Sequence, residues 1–553
     1  MKDDKNSAIK IIPIGGLGGI GNNMTVLEYQ NEIIIIDCGI RFPSDDTLGI
    51  DFIIPDFTYI IENKHKVKGI ILTHGHEDHI GAIPFLLQEI TAPLYATKLT
   101  LSLVKSRLEE RPPRDKPTLI EIAPREHIEI SNYKIEFLRV NHSIIDGVGL
   151  AIETDVGIII HSGDFKIDFS PVDGLVTDIF RFASYGEKGV LLLMSDSTNA
   201  EIKGHTKSET ILSKKFINIF SSSKSRIIVA SFASNFHRIQ QVMDAAYRYN
   251  RKVVLSGITM QKNVEIAKKL NCLTFKDELI IDFKDATKLP DKKLVIICTG
   301  SQGEPMSALS RMAKGTHKHF SITKGDTVII TASIIPGNEK MVTYVINSLL
   351  RLQADVYYEQ DEDIHVSGHA HQEELKLMIS LTKPKYFMPI HGEYKHLTAH
   401  AKIAKSLNIK PSKIMVAENG DILDLSKKTF KKIDALKLSQ IFVDGKEIGD
   451  IENGLIRDRQ IMSSEGIFFI TILLSNGNLI GKPKIITKGS VGEKNYKSIS
   501  SVIQSIEDQT NKLLMDGISL SDITMIIKKN LKKILYNLTR NNPLIEIQII
   551  QVQ

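Results

Sequence analysis

The sequence predicts an α/β protein in which one α/β unit is inserted into another and a small α+β unit follows. Three patterns predict it. Residues 8–200 read as short Ile/Val/Leu-rich strands that end in polar clusters. Residues 205–365 alternate helical stretches with buried-strand runs, and strand character then returns at Lys385–Ile390. From about residue 450 the pattern is a hairpin, two helices and a strand-like tail. The 553 residues accommodate this, since about 100–200 residues per domain gives three or four domains.

In the first region the strand-length runs are Ile33–Asp37, Val67–Thr73, Lys134–Val140, Gly157–His161 and Gly189–Met194. Several close on polar clusters: Asp37, Thr73-His74, His161-Ser162-Gly163-Asp164 and Ser195-Asp196. In layered α/β folds such strand ends are where loops carry chemistry. In the second region helical Ser208–Phe220 and Arg238–Tyr249 alternate with strand-like Arg226–Ala230, Lys252–Leu255, Lys293–Cys298 and Thr327–Thr331. That is the βαβα signature of a parallel sheet with helices on both faces. In the third, Ile467–Leu474 and Leu479–Ile486 flank Ser475-Asn476-Gly477-Asn478, a hairpin signal. The last helix carries Ile523, Ile526, Ile527, Leu531, Ile534, Leu535 and Leu538 on one stripe. Lys528, Lys529, Lys532 and Lys533 lie off it, as a solvated face or an RNA or partner contact. The chain closes on Leu544–Val552.

Composition sets limits. Lys and Arg number 70 against 65 Asp and Glu, a net charge of +5, which excludes a histone-like binder but not a local basic groove. Hydrophobic residues at 42% and charged residues at 24% support a large core and exclude wholesale disorder. There is no Trp and aromatics make up only 6%, so any nucleic acid would be held through phosphate and sugar with little base stacking. Cys38, Cys272 and Cys298 are too scattered for a disulfide framework or a Cys-based zinc site, which favours a reducing compartment. Met1–Lys5 is charged and unlike a signal segment, and no uncharged apolar run approaches the roughly 20 residues of a membrane span. The expectation is a soluble, cytoplasmic enzyme with no membrane contact.

One motif is a decoy. Gly16-Leu17-Gly18-Gly19-Ile20-Gly21 matches a dinucleotide-binding fingerprint, with Asp37 placed as a ribose-binding acid. That fingerprint must open a helix, and Met24–Tyr29 reads as a strand.

The strongest signal is His74-Gly75-His76-Glu77-Asp78-His79, which follows an apolar strand. Imidazole and carboxylate suit zinc and similar divalent ions. One loop can present His74 and His76 to one ion, and Asp78 and His79 to a neighbour. Two ions need further ligands, and His142, Asp164 and His391 are available at strand ends.

This set resembles the metallo-β-lactamase superfamily. The resemblance implies that one ion takes His74, His76 and His142 and the other Asp78, His79 and His391. Asp164 would bridge, Asp37 would support the ligands from behind, and a water would sit between the ions. Two ions about 3.5–4 Å apart acidify such a water and clamp the attacking and leaving oxygens of a phosphodiester.

The inserted unit is bracketed by Ser195-Asp196-Ser197-Thr198-Asn199-Ala200 and His365-Val366-Ser367-Gly368-His369-Ala370-His371. With His391, these resemble the extra motifs of the β-CASP nucleases. Within that branch LGGIGNNMTVLEY, LTHGHEDHIGAIPFLL, SDSTNAE, FASNFHRIQQV, HVSGHAHQEELKLMI and PIHGEYKHL resemble the ribonuclease J family over about residues 8–450. The implied fold is a metallo-β-lactamase αββα sandwich with an inserted β-CASP parallel-sheet α/β domain and a small α+β C-terminal domain. The implied division is 1–205 and 366–448 for the two parts of the metallo-β-lactamase domain, 206–365 for the insert, and 449–553 for the linker and C-terminal domain.

The same resemblance makes Ser234, Asn235 and His237, with His365, Val366, Ser367, Gly368 and His369, a pocket for an RNA 5′-monophosphate. Hydroxyls and backbone N–H groups near strand ends and helix starts hold phosphate well. Ser234 and Asn235 also read as a helix N-cap, and both roles can hold together. Asp196 and His369 are implied as the acid–base pair, while Asp196 could instead orient a ligand histidine. Gly49, Asp51 and Asp444 resemble a calcium site of the family, or are plain turn chemistry. Three departures stand out. Gly19 replaces a common glutamate, Gly257-Ile258-Thr259-Met260 replaces Gly-Arg-Ser-Met, and Thr331-Ala332-Ser333-Ile334 replaces a Ser-rich segment. The missing arginine puts in question one phosphate or RNA-backbone contact, not the metal chemistry.

The implied activity is a 5′→3′ exonuclease and endonuclease on single-stranded RNA, in RNA maturation and mRNA decay. It would carry two Zn2+ per subunit, with Mn2+ or Mg2+ able to serve in activity, and possible Ca2+. A homodimer or homotetramer and other RNA-decay proteins are the implied partners. A DNA-directed or purely endonucleolytic β-CASP enzyme, and a catalytically silent RNA-binding subunit, are the rival readings.

Overall fold

The computed structural model describes all residues except 1–7, 44–46, 305, 333, 335–337, 360–362, 446, 450–452, 491–495 and 553, and only the backbone of 453, 496–498 and 538–539. Met1–Lys5, Ser333 and the Leu538 side chain therefore lie outside the described residues. The backbone divides into two compact units, one of Met1–Phe42 with Ile53–Gln440, the other of Pro43–Phe52 with Ile441–Gln553.

In the larger unit two sheets stack face to face. The first has eight strands in the order Phe430–Ala435, Asp421–Leu425, Ile9–Gly15, Met24–Tyr29, Glu32–Ile36, Val67–Ile71, Leu94–Ala96 and Leu119–Glu121. The second has six: Tyr386–Ile390, Val190–Asp196, Ile158–His161, Val148–Glu153, Tyr133–Arg139 and His127–Ile130. Their facing side chains alternate along each strand. Ile11, Leu27, Ile34 and Ile71 from one sheet meet Phe137, Leu150, Leu192 and Met388 from the other in a single core. Helices Ile179–Lys188, Gln372–Thr382 and Tyr394–Ser406 cover the outer face of the six-stranded sheet through Phe182, Leu375, Met378 and Ile403. Helix Lys98–Glu110 packs against the outer strands of the eight-stranded sheet. These four layers are the αββα sandwich.

The insertion is visible in the strand pairing. The chain leaves the six-stranded sheet after Val190–Asp196 and returns as its parallel neighbour Tyr386–Ile390, with Asp196 opposite Ile390. Between them lies a five-stranded, all-parallel sheet ordered Lys252–Ser256, Leu294–Cys298, Ile227–Ala230, Thr327–Ile330 and Asp355–Tyr357. Helices Thr210–Ser222, Phe236–Arg248, Ile258–Lys269, Ala308–Ala313 and Glu339–Arg351 accompany it.

The Gly16–Gly21 stretch joins the antiparallel strands Ile9–Gly15 and Met24–Tyr29 and opens no helix. Its Leu17 and Gly19 instead bridge to Gly392, beside His391.

In the smaller unit, strand Ile467–Ser475 alternates buried and half-buried residues. Phe468, Ile470, Ile472 and Leu474 pack on Val502, Ile506, Ile523, Ile527, Leu531 and Leu535 of helices Tyr496–Met515 and Leu520–Thr539. The expected hairpin turn is present, with Asn476 at φ 50° and Gly477 at φ 80°. Its second strand is broken into Asn478–Leu479 and Lys484–Lys488, because Gly481 takes φ 68° and Pro483 supplies no N–H. Leu544–Gln551 pairs parallel to Ile467–Ser475. Lys528 is half-buried beside Glu546, and Lys529, Lys532 and Lys533 are exposed.

Candidate metal centre and substrate pocket

His74, His142, Asp164 and His391 stand just past strand ends, His76 caps the short helix Glu77–Ile80 that carries Asp78 and His79, and two of the key positions hold an unusual backbone. Asp37 follows Glu32–Ile36 at φ 59°, and His391 follows Tyr386–Ile390 at φ 54°. Left-handed conformations cost non-glycine residues energy and persist where surrounding contacts dictate them.

Three imidazole nitrogens converge on one side. His76 Nδ1 lies 3.0 Å from His74 Nε2 and 3.1 Å from His142 Nε2. Each ring's other nitrogen is assigned where a partner exists. His142 Nδ1–H donates to the Gly368 carbonyl at 2.8 Å, and His74 Nδ1 lies 3.1 Å from the Thr73 hydroxyl. His74 Nε2 and His142 Nε2 then turn lone pairs toward His76 Nδ1, and a cation among the three nitrogens would hold all of them. Burial drives His74 and His142 well below the usual imidazole range and His76 down to about 4, and neighbouring imidazoles add to the effect at His74 and His142. Neutral imidazole is the metal-binding form.

On the other side Asp78, His79, Asp164 and His391 form a second group of converging donor atoms. Asp164 Oδ2 lies 3.2 Å from His79 Nε2 and 3.3 Å from His391 Nε2. It is also 3.9 Å from His74 Nε2 and 4.0 Å from His142 Nε2, so this one oxygen sits between the two groups. Burial opposes ionisation of Asp78 and Asp164, yet His79 and His391 outweigh it and hold both carboxyls well below their usual range. Burial likewise opposes charge on His391, but Asp164, Asp196 and Asp78 push it up to about 10. Buried imidazoles and ionised carboxylates in this arrangement fit divalent transition ions.

Two matching relays orient the rings, and sequence reasoning named only their carboxylates. Asp37 Oδ2 accepts the Thr73 hydroxyl and His79 Nδ1–H, both at 2.8 Å, while Asp37 Oδ1 accepts the Thr73 N–H at 2.8 Å. Asp196 Oδ1 accepts the Thr198 hydroxyl at 2.8 Å, and that hydroxyl lies 2.7 Å from His391 Nδ1. Asp196 Oδ2 meanwhile lies 2.8 Å from His369 Nδ1. One carboxylate thus contacts both the implied acid–base partner and a ligand ring, so the two roles read from sequence coexist in the geometry. Asn23 is a further residue that reading missed: its Nδ2 donates to the Asp78 carbonyl at 3.0 Å and lies 3.1 Å from His79 Nε2. Thr198 and Asn23 stand inside quoted motifs, but nothing in the pattern marks them as partners of histidines far along the chain.

The segment after His365 rests on this cluster. A Cβ on Gly368 would lie 2.8 Å from the His142 ring, so only glycine permits the approach. Ser367 Oγ accepts Asn199 Nδ2 at 2.8 Å and the His369 N–H at 3.1 Å. His365 Nδ1–H donates to the Thr331 carbonyl at 3.1 Å, and Val366 is buried. Asn235 is the N-cap of helix Phe236–Arg248, accepting the Arg238 N–H at 3.1 Å, with half-buried Ser234 just before it. His237 is buried, its Nε2 3.3 Å from Asp173 Oδ2. Ile258, at the missing-arginine position, is exposed at the start of its helix.

In the smaller unit, Asp51 Oδ2 accepts the Gly445 N–H at 2.8 Å, and Asp444 pairs with Arg459, whose Nη1 reaches the Leu48 carbonyl at 3.2 Å. A Cβ on Gly49 would lie 2.8 Å from that guanidinium. A side-chain cation therefore stands among the oxygens that the sequence reading assigned to calcium. Among the described residues, the groups of converging His, Cys, Asp and Glu donors all belong to the centre around Asp164.

Fold and cluster together define a metal-dependent hydrolase of the metallo-β-lactamase superfamily with a β-CASP insertion. Residues 17–189 match the metallo-beta-lactamase superfamily model and 224–349 the Ribonuclease J beta-CASP domain. Residues 357–413 match the Zn-dependent metallo-hydrolase RNA specificity domain, and 454–552 the Ribonuclease J C-terminal domain. The chain is 40% identical to Ribonuclease J of Helicobacter pylori over 99% of its own length and 80% of that protein. It is 39% identical to Ribonuclease J2 of Bacillus subtilis, over 99% of both, and 40% identical to Ribonuclease J of Thermus thermophilus, over 95% of this chain and 93% of that one. The chain belongs to the ribonuclease J family and is a nuclease of that type. A crystal structure of a protein of unknown function from Enterococcus faecalis shares the fold, at TM-score 0.54 and 16% identity over 76% of this chain and 100% of that one. Among the described residues no helix is long and apolar enough to cross a membrane.

Proposed function

We propose that this chain is a zinc-dependent ribonuclease with 5′→3′ exonuclease activity that prefers 5′-monophosphorylated RNA, together with endonuclease activity, acting in RNA maturation and mRNA decay in the cytoplasm. His74, His76 and His142 would hold one zinc and Asp78, His79 and His391 the other, with Asp164 placed to serve both. When bound, the ions supply Lewis acidity that acidifies a water and neutralises the phosphodiester charge.

The chain's own residues do the rest. Asp37 and Thr73, and Asp196 with Thr198, hold the ligand rings in the tautomer that turns a lone pair inward. Asp196 keeps His369 turned with Nδ1 toward the carboxylate, which leaves Nε2 to pass a proton to the leaving 3′ oxygen. Ser234, Asn235 and His237, with His365–His369, take the terminal 5′-phosphate, so that the following phosphodiester meets the ions and mononucleotides leave one at a time. Single-stranded RNA is the substrate, and the working form is a homodimer or homotetramer that associates with other RNA-decay proteins.

The observation that carries this reading is the Gly368 carbonyl on His142 Nδ1 at 2.8 Å. It joins the Ser367-Gly368-His369 segment directly to one of the ligand rings. The test is digestion of one uniformly labelled RNA carrying a 5′-monophosphate, hydroxyl or triphosphate, in added Zn2+, Mn2+ or Mg2+, with product sizing. Mononucleotides released fastest from the monophosphate support the reading, and indifference to the 5′ end refutes the exonuclease claim.

A further inference from the structure

Four charged side chains lie fully buried next to the centre without touching any proposed ligand of the ions: Lys166, Asp168, Glu209 and Arg238. Buried ion pairs are weak sources of net stability compared with apolar packing, and their better-attested use is to fix one geometry. Their placement here is informative.

Lys166 stands two residues beyond Asp164, and its N–H donates to the Asn141 carbonyl, next to His142, at 2.8 Å. Its backbone is thus bound to both segments that carry those ligands. Arg238 lies in the first turn of helix Phe236–Arg248, where its N–H is the one that Asn235 caps. Arg238 Nη1 also donates to the Thr331 carbonyl at 2.7 Å, the same carbonyl that takes His365 Nδ1–H. Arg238 is therefore tied to both segments of the proposed pocket, by its backbone N–H at Asn235 and by its guanidinium through the Thr331 carbonyl that it shares with His365.

Glu209 joins the two ends. Lys166 Nζ donates to its Oε1 at 3.1 Å, and Arg238 Nη2 to its Oε2 at 3.2 Å. Its N–H donates to Asp168 Oδ2 at 3.0 Å, and its carbonyl accepts Gln241 Nε2 at 2.7 Å. A second tie runs beside it, from Asp173 Oδ2 to His237 Nε2 at 3.3 Å. Asp173 belongs to the same stretch as Asp164, and its side chain is 24% exposed.

We propose that Glu209, seconded by Asp173, is a positioning residue that sets the distance between the 5′-phosphate pocket and the metal centre, and so selects RNA by its 5′ end. This rests on the pocket reading given above. A displacement of about 1 Å between a substrate anchor and the reacting atoms is enough to cost about 100-fold in rate. Internal cleavage, which does not use the anchor, is spared.

The test compares wild type, Glu209→Gln and Asp173→Asn on one oligoribonucleotide with a 5′-monophosphate or a 5′-hydroxyl. It reads kcat and KM for each substrate, product sizes, bound zinc and melting temperature. Glu209→Gln is expected to lower the monophosphate-to-hydroxyl ratio of kcat/KM by about 10–100-fold. Zinc content and cleavage of the hydroxyl substrate should stay near wild type. Asp173→Asn, at a partly exposed position, should shift the ratio the same way by a smaller factor. If Glu209→Gln does not fold, the Asp173→Asn ratio decides. Folded variants with an unchanged ratio overturn the positioning role alone. Equal loss on both substrates, or lost zinc, overturns it too, by making the network a general support. A wild type that does not distinguish the two 5′ ends overturns the pocket reading and this role together.

Discussion

Replacing Asp37 by asparagine isolates one atom's worth of chemistry. Asp37 accepts three hydrogen bonds, from the Thr73 N–H, the Thr73 hydroxyl and His79 Nδ1–H, each at 2.8 Å. An asparagine keeps the size and tolerates the same left-handed backbone, so the fold is not the variable. It has, however, one acceptor oxygen and one donor amide. If the oxygen stays on the Thr73 N–H, the amide faces the Thr73 hydroxyl, which can turn, and His79 Nδ1–H, which cannot. The His79 proton must then move to Nε2, the atom 3.2 Å from Asp164 Oδ2 and 3.6 Å from Asp78 Oδ2, and the ring loses its inward lone pair. If the amide flips, it meets the buried Thr73 N–H donor to donor, at a cost of about 1–3 kcal/mol. Either way the expected loss is about 10–100-fold in affinity for one ion, or about 1.4–2.8 kcal/mol. Chelator competition followed by metal analysis reads the affinity, and RNA cleavage against free metal reads the consequence. Unchanged affinity for every bound equivalent, with unchanged cleavage, would refute the relay.

Other outcomes follow from the same geometry. A folded His76→Ala chain should lose one metal equivalent and RNA cleavage together, and wild-type cleavage by it would sink the metal-centre assignment. Gly368→Ala places a methyl group 2.8 Å from the His142 ring and 2.9 Å from the Ser143 nitrogen, so cleavage should fall while circular dichroism stays native. Lys166 and Arg238 outweigh burial to hold the Glu209 carboxyl down at about 2 against an ordinary 4.5. A depressed carboxylate stabilises the fold above its ordinary value, so roughly 3 kcal/mol should fade as pH falls from about 4.5 towards 2. Acid unfolding of Glu209→Gln should lack that component, and superimposable acid profiles would contradict it. Because Arg459 already pairs with Asp444, millimolar calcium should raise the wild-type melting temperature by less than about 1 °C, against several degrees for an occupied site.

Much of this was legible along the chain because the relevant residues are close in sequence. The apolar runs that became the two stacked sheets are contiguous, and their ends differ from the expected ones by a residue or two, as at Glu32–Ile36 and Tyr386–Ile390. The loop His74–His79 concentrates ligands so densely that the residue types and spacing alone imply a metal. The hairpin at Asn476-Gly477 was equally local, since both residues tolerate the positive φ that the turn demands. Its broken second strand was less so, because Gly481 and Pro483 had to be weighed against an otherwise apolar run.

The sequence by itself determined the kinds of donor atom, the nested order of the α/β units and the family. Only the tertiary structure decided which atoms meet. Asp164 Oδ2 comes to lie between two groups of ligands because the loop after Val67–Ile71 of the eight-stranded sheet meets the neighbouring strand ends of the six-stranded sheet. Thr198 reaches His391 across 193 positions, and Glu209 reaches Lys166 across 43 and Arg238 across 29. Arg459 lies 15 residues from Asp444 and 411 from Leu48. Hydrogen bonds and ion pairs depend on ångström-scale distance and angle, whereas residue pattern specifies only which side chains are buried. The packing of sheets and helices converts one into the other.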